Sequence, residues 1–585
     1  MAPHNPRSTP ARLTAPATAK LPRLYLLLLS LVYIFAGLYF RDPWKTDDVV
    51  GLATMLTALN GPDQAAWLPQ IGSFAHAQDG PLAMWAGAIF IAVFAPFFAL
   101  FTSTIDAQII ASRLPNLLWF GLMVSSVWYA TYLLGRRPEP QPVRLPFGGE
   151  PTERDYGRMI ADAALLLILA TAGIMWRMHE TSEVPVIIAV QALAFYSVVR
   201  MFDRPLSGAI TLGLAIGAAL LARGWIGALP IYLAIACAFL PTPELQKKLK
   251  WLGLSTLIGA IICLTWWIPA QGMNPYWTEH WWLWNVESFT FPTWREMLSI
   301  FRDLPWFLWP TWPFALMALW QWRSWLRAPH VWLPLMFAFW PFATMLFLAD
   351  SFEPEYSLMA VPFAVMAAFA LPTLRRGMVN SLDWFAVMCF SLTIATVWLG
   401  WVALQAGWPE QISDNIARQT EGYNAFVSWP AVIIALAGTL AWLYLVRWRV
   451  LHRPAALWRG TVLSAGGIVT TWLLLVTLWM PALDYVRSYR DVSNALAQAI
   501  DTHQKQGECL QAVDLGVGQR AAFYVFNGLD PTSNRNCNLA IIQTSPQAIS
   551  GGLQPLRHLR PTLLWEGKRR PERHELFQLV RIRAQ

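Results

Sequence analysis

Charge is what this sequence is short of: Asp, Glu, Lys and Arg supply 13% of its 585 residues, about half the roughly 25% usual in soluble domains. With 56% hydrophobic residues and 34 Trp, that shortage excludes an ordinary soluble globule. A Gly-rich phosphate loop, a C-x-x-C pair, an internal repeat and a low-complexity tract are missing too, so nucleotide-phosphate, paired-thiol and repeat readings have no foothold. Cysteine is scarce, at five. Cys237, Cys263 and Cys389 lie in apolar runs and read as small buried hydrophobes. Cys509 and Cys537 lie in a polar C-terminal segment and form one disulfide if that segment is extracytoplasmic; otherwise they are two free thiols.

What is present is a series of apolar stretches about one bilayer thick, such as Leu24 to Phe40, Ala163 to Trp176 and Thr461 to Met480. Lipid offers the backbone no hydrogen-bond partners, so these stretches must cross it as helices. The net charge of +8 falls in short inter-helix loops and in the tails. It therefore reads as a topology signal and not as a nucleic-acid surface. Arg7, Arg12, Lys20 and Arg23 precede the first span, and no cleavage site with a soluble mature domain follows it. Residues 1–23 are thus expected as a cytoplasmic tail and Leu24 to Phe40 as a retained first helix.

Pro81 to Phe101 decides the topology. If it lies along the outer interface or is re-entrant, thirteen helices follow, starting near Leu24, Arg113, Met159, Val184, Ser207, Ile226, Trp251, Pro305, Val331, Ser357, Ser381, Phe426 and Thr461. The inside then holds 22 Lys and Arg against 8 outside before the C-terminal domain; if it spans, the counts are 10 and 20. The positive-inside rule selects the first arrangement. Residues 24–480 are then the membrane domain, with a long first outer loop from Arg41 to about Ser112. Residues 481–585 are an outer domain in which Arg490 to His503 has helical spacing. Cys509 to Asp514, Ala522 to Phe526, Leu539 to Thr544, Thr562 to Glu566 and Phe577 to Arg583 read there as short strands. The predicted fold is an α-helical polytopic membrane protein with a small extracytoplasmic α/β domain.

The sharpest constellation is Trp44-Lys45-Thr46-Asp47-Asp48, directly after the first helix. Thr46 or Asp47 is placed to cap an interfacial helix running to about Leu59, and two carboxylates at the membrane surface also suit a general base and its orienter. Arg113, and Arg223 in Leu221-Ala222-Arg223-Gly224, suit a lipid phosphate; interfacial snorkelling is the alternative. Glu180 and Glu183 suit sugar hydroxyls or a helix cap. His280 beside Glu279, and Glu353 with Glu355, are weaker candidates. His76, His179 and His280 lack metal-ligand spacing, and Trp277, Trp281, Trp282 and Trp284 read as an interfacial belt.

At these residues the chain resembles the glycosyltransferase C (GT-C) superfamily, close to its aminoarabinose transferase and protein mannosyltransferase group. That pattern is an acidic pair after the first helix, a loop ending Phe-Glu-Lys-Pro-Pro-Leu before an aromatic, and Arg-Leu-Pro opening the next span. Here these are Asp47-Asp48, Ala77-Gln78-Asp79-Gly80-Pro81-Leu82 with Trp85, and Arg113-Leu114-Pro115. Glu183-Val184-Pro185 resembles the family's Asp-x-Pro, Arg223-Gly224 its Lys-Gly and Glu279-His280 its Glu-His, with a weaker continuation through Tyr356 and Pro362. The resemblance covers about residues 24 to 375, and the order of its motifs carries it.

It implies a bacterial inner-membrane enzyme, with active site and C-terminus periplasmic, that moves a sugar from a polyprenyl-phosphate carrier to lipid A, another glycolipid or a protein. Asp47 would be the base or acceptor-orienting carboxylate and Asp48 its partner. Arg113, Arg223 and Lys45 would meet the lipid phosphate; Glu183, Glu180, Asp79, His280 and Tyr356 would meet sugar or acceptor. A divalent metal is the one cofactor the resemblance brings with it. At the Glu-Lys that helps form the family's donor and metal region this chain has Gln78-Asp79, leaving Lys45 or Arg113 to compensate. The implied partners are the lipid-linked sugar, the acceptor and membrane lipids, with no nucleic acid. A transporter or lipid flippase is the competing class; it calls for repeated halves and mid-membrane ionisable groups, whereas here the acids gather in outer loops.

Overall fold

The computed structural model describes residues 9–39, 41–44, 47–144, 146–349, 353–452, 456–533, 537–545, 561–570 and 572–582. Arg7, Lys45, Thr46 and the side chain of Glu353, all named above, lie outside these. Among the described residues seven helical runs are long and apolar enough to cross a bilayer: Thr104–Gly135, Pro205–Ala238, Leu249–Met273, Pro354–Thr373, Gly377–Ala406, Trp429–Leu451 and Trp458–His503. Arg23–Phe35, Leu82–Phe98 and Val184–Arg200 are shorter apolar helices.

What these helices turn outward explains their solvent. Leu257, Ile261, Leu264 and Ile268 recur at helical spacing along Leu249–Met273, and each is about half exposed or more. Leu392, Ile433, Leu440 and Tyr444 do the same on later helices. A soluble protein rarely leaves so continuous an apolar surface in water, whereas hydrocarbon accepts it at no cost. The chain is a polytopic membrane protein. Inside the bundle the packing is built on small residues, as in the fully buried Ala360, Ala364, Ala367 and Ala368, which allow close helix approach.

One pair of spans meets at a break, and another segment is divided. The spans expected to start near Ser207 and Ile226 belong to one run, Pro205–Ala238, which is non-helical at Arg223 (φ −132°, ψ 21°) and Gly224 (φ 59°, ψ −148°). The chain turns back there, as two separate spans require: Gly213 faces Ser255 and Ile258 while Tyr232 lies 3.4 Å from Thr256, and Arg137 meets both Phe202, before the run, and Glu244, after it. The segment expected to span from Pro305 is divided between Trp294–Phe307 and the eleven-residue helix Thr311–Gln321. Leu82–Phe98 is a seventeen-residue helix with Ile89, Val93 and Phe97 turned outward.

The C-terminal domain has a four-stranded sheet in the order Leu510–Val513, Leu539–Thr544, Leu576–Arg581, Thr562–Gly567. The first pair is parallel and the others antiparallel. Arg490–His503 is a helix. Ala522 to Phe526, expected as a strand, lies instead within the helix Val517–Asn527, which stops at left-handed Gly528. Two consecutive parallel strands require a crossover, and a helix supplies it; that long-range demand overrides the β-rich local composition. A disulfide joins Cys509, just before the first strand, to Cys537, just before the second.

The helix Asp47–Asn60, which follows Arg23–Phe35, packs into this domain. Val49, Leu52, Ala53 and Leu56 share one buried core with Leu496, Phe523, Leu539 and Phe577. The carboxylate-bearing helix is thus clamped between the membrane helices and the C-terminal domain.

Candidate active site

Asp47 and Asp48 open that helix but face different surroundings. Asp48 is 3% exposed. Its Oδ2 lies 3.0 Å from Arg41 Nη2 and 3.1 Å from Arg113 Nη2. Its Oδ1 accepts from the Thr181 N–H at 2.8 Å and hydroxyl at 2.9 Å. Thr181 comes this close because Gly51 has no side chain: a Cβ there would stand 2.1 Å from the Thr181 carbonyl oxygen. Burial works against ionisation of Asp48, but Arg41, Arg113 and Thr181 outweigh it and hold the carboxyl below its ordinary value. Arg113 is fully buried and also donates to the Arg41 carbonyl at 2.5 Å. It lines neither cavity described below; its charge is spent on Asp48.

Asp47 stays accessible. Its side chain is 32% exposed and its Oδ2 lies 3.1 Å from Arg177 Nη1. The same nitrogen is 2.9 Å from Glu180 Oε2. Burial pushes Glu180 up to about 7, with Arg177 pulling the other way. The Glu180 carbonyl accepts from Asn116 Nδ2 at 2.7 Å, which ties the 178–183 loop to the run Thr104–Gly135. His179 is buried with its ring nitrogens against the Met175 and Tyr33 carbonyls, and burial lowers it to about 4. It is a packing residue held by two backbone carbonyls.

The third group surrounds Arg223. Its Nη1 bonds Asp79 Oδ1 at 2.9 Å and Glu183 Oε1 at 2.7 Å, and its Nη2 bonds Glu355 Oε1 at 2.7 Å. The break in Pro205–Ala238 produces this placement. Gly224 has φ +59°, and a Cβ on it would meet Asn285 Oδ1 at 2.3 Å. Asn285 accepts from the Trp225 N–H at 2.7 Å, closing the broken end, and donates to the Gln78 carbonyl at 3.3 Å. The Gly80 N–H donates to the Ala222 carbonyl at 3.2 Å. The Gln78-Asp79-Gly80 loop and the Arg223 break are thereby stitched together. Asp79 stays below its ordinary value because Arg223 and His76, whose Nε2 is 3.7 Å from Asp79 Oδ2, overcome burial. Glu183 is raised well above its own, by burial first and by the Asp79 charge second.

These groups enclose two cavities. One, of about 540 Å³, is lined by Asp47, Asp79, Glu183, Arg177 and Arg223, with Val517 and Gly518 of the C-terminal domain. The other, of about 980 Å³, is lined by Arg41, Asp48, Glu180 and Tyr356, by Trp44, Trp176 and Trp306, and by Arg487 and Arg569. Arg177 lines both. Asp47, Asp48, Asp79, Glu180, Glu183, Arg113, Arg223 and Tyr356 all lie in this region. His280 does not: it is exposed and bonds the Tyr276 carbonyl one turn back in its own helix. Sequence reasoning treated Arg41 and Arg177 only as topology charges and passed over Thr181 and Asn285. The one local signal was Arg177 three residues before Glu180.

No family model matches the sequence, and no curated protein does. The fold is decided by solved structures. ArnT from Cupriavidus metallidurans bound to undecaprenyl phosphate superposes with a TM-score of 0.62 over 95% of this chain and 97% of that one, at 15% identity. The chain has the ArnT fold. The apo state of the same ArnT gives a TM-score of 0.60 over the same shares, also at 15% identity. The ArnT likeness runs through the C-terminal sheet as well as the bundle, and it agrees with the GT-C resemblance read from the motif order.

Proposed function

We propose that the chain is a membrane glycosyltransferase that moves a sugar from a polyprenyl-phosphate carrier, undecaprenyl phosphate first, to lipid A or another glycolipid at the outer leaflet of a bacterial inner membrane. The observation that carries this reading is the accessible Asp47 beside Arg177, at the junction of two cavities in an ArnT fold. Two cavities meeting at one carboxylate–guanidinium pair suit two substrates that must bring their reacting atoms together.

In the reaction the acceptor oxygen attacks the anomeric carbon while the bond from that carbon to the carrier's phosphate oxygen breaks. The acceptor proton passes to Asp47, and the lipid phosphate leaves with the bonding electrons. Arg177 and Arg223 are the cations on the cavity wall that face the departing charge. Asp79 and Glu183 accept hydrogen bonds from sugar hydroxyls, and Glu355 holds Arg223 from behind. Asp48 holds the start of the Asp47 helix, and Arg113 holds Asp48. Where the acceptor group is itself a phosphate it arrives ionised, and Asp47 then orients more than it deprotonates.

Mass spectrometry of lipid A and other envelope glycans tests the reading in a deletion strain carrying wild type or Asp47→Asn. A sugar lost on deletion and restored by wild type alone is the expected result. Unchanged envelope glycans on deletion, or equal restoration by both genes, would refute it.

A further inference from the structure

The fold brings an expectation of a divalent metal, and the donor set here does not fit one. A metal needs several oxygens or nitrogens converging on one point at about 2.0–2.6 Å. The acidic groups on the cavity wall, and Glu355 behind it, converge on a side chain instead. Asp79 and Glu183 bond Arg223 Nη1, while Glu355 Oε1 bonds Nη2 at 2.7 Å and Nε at 3.2 Å. Glu355 thus takes the Nε–Nη2 edge of a planar fork while Asp79 and Glu183 share Nη1, an arrangement set by guanidinium donors and not by a spherical ion. Among the described residues no three His, Cys, Asp or Glu side chains are placed to hold a metal ion.

We propose that Arg223 is the resident cation of this cavity, standing where a metal would otherwise gather Asp79, Glu183 and Glu355, so that transfer proceeds without a divalent ion. This rests on reading the cavity as the transfer site. The backbone is built for the task. Arg223 sits at the non-helical step of its run, Gly224 takes the left-handed conformation behind it, and Asn285 fills the space a side chain would need. An ordinary helical arginine would follow the helix face; this one is turned into the acids. Asp79 Oδ1 and Glu183 Oε1 are the oxygens that meet Arg223, and both residues line the cavity, where a sugar would supply hydrogen-bond donors. Arg223 is a positioning residue for the acids as well as a cation facing the phosphate.

The test uses the purified full-length chain in lipid nanodiscs. Plasma mass spectrometry of wild type should find metal well below one equivalent, and donor turnover should be unchanged after chelation with EDTA. Arg223→Ala leaves Asp79, Glu183, Glu355 and His76 around an empty centre, and it should take up about one equivalent of zinc or manganese. A stoichiometric metal in wild type whose removal abolishes turnover would overturn the proposal. So would an Arg223→Ala protein that binds no more metal than wild type. If that variant does not accumulate, the wild-type measurements decide alone. A chain that transfers no sugar under any condition would sink the functional reading, while metal content would still decide this one.

Discussion

Replacing Asp48 by asparagine puts an amide nitrogen where the structure has a carboxylate oxygen, and neither orientation is tolerated. Turned toward Oδ2, the new N–H₂ faces two guanidinium groups 3.0 and 3.1 Å away, whose side chains are 1% and 0% exposed. Turned toward Oδ1, it faces the Thr181 N–H, which has donated at 2.8 Å. Either way Arg41 and Arg113 lose the charge they share. Breaking a buried pair costs about 3–5 kcal/mol, a large part of a folded protein's roughly 5–15 kcal/mol. Asp47→Asn differs: the group is 32% exposed with Arg177 on one oxygen, so its ion pair is worth about 0–1 kcal/mol, and as the first residue of its helix it loses a charge–dipole term of only about 0.3–1 kcal/mol. Asp47→Asn should therefore unfold near the wild-type temperature while transfer falls roughly 100-fold. Asp48→Asn should unfold far earlier and accumulate poorly. The assays are thermal unfolding in detergent and sugar transfer in membrane fractions. Since Asp48 is held below its ordinary value, its contribution is complete above the unfolded carboxyl value of about 3.9 and is lost only as pH falls through the lower folded one. The gap between Asp48→Asn and wild type should then be constant from pH 5 to 8. An Asp48→Asn protein as stable as wild type, or an Asp47→Asn protein equally destabilised, would refute this division of roles.

Glu180, pushed up to about 7, favours the fold at low pH, and that contribution is lost as pH rises from the unfolded value of about 4.3 through 7; thermal scans should show wild type losing stability from pH 5 to 8 relative to Glu180→Gln. Gly224→Ala forces a side chain into a left-handed position and against Asn285, at a strain of about 1–3 kcal/mol, and should lower both the unfolding temperature and transfer, while Gly121→Ala, with nothing within 4 Å, should change neither. Reporter fusions after Arg144 and Arg449 should report cytoplasm, and fusions after Asp63 and at Gln585 the outer side; an outer signal at Arg144 would sink the thirteen-helix topology. Alkylation without reductant should label Cys237, Cys263 and Cys389 in unfolded protein but not Cys509 or Cys537, which the disulfide protects.

Local information was legible where one segment decides its own structure. Hydropathy announced the membrane helices because lipid leaves the backbone no other choice. The Asp pair at the start of Asp47–Asn60, the helical spacing of Arg490–His503 and the β-rich runs at Leu539–Thr544 and Leu576–Arg581 also follow from near neighbours. The order of weak motifs pointed to the GT-C architecture, whereas the placement of Cys509 and Cys537 in one polar segment left a disulfide and two free thiols both open, and the structure has the disulfide. The strand expected at Ala522 to Phe526 failed because a parallel pair elsewhere in the sheet needed a helix there. Tertiary structure alone decided which carboxylate is free. Asp47 and Asp48 are neighbours of the same type, but Arg41, Arg113 and Thr181 converge on one and Arg177 meets the other. Arg223 likewise finds Asp79, Glu183 and Glu355 from segments up to 144 positions away. Composition and periodicity report the solvent a segment meets, whereas ionisation and hydrogen bonding depend on which groups the fold brings within about 3 Å, and that distance is set by the packing of the whole chain.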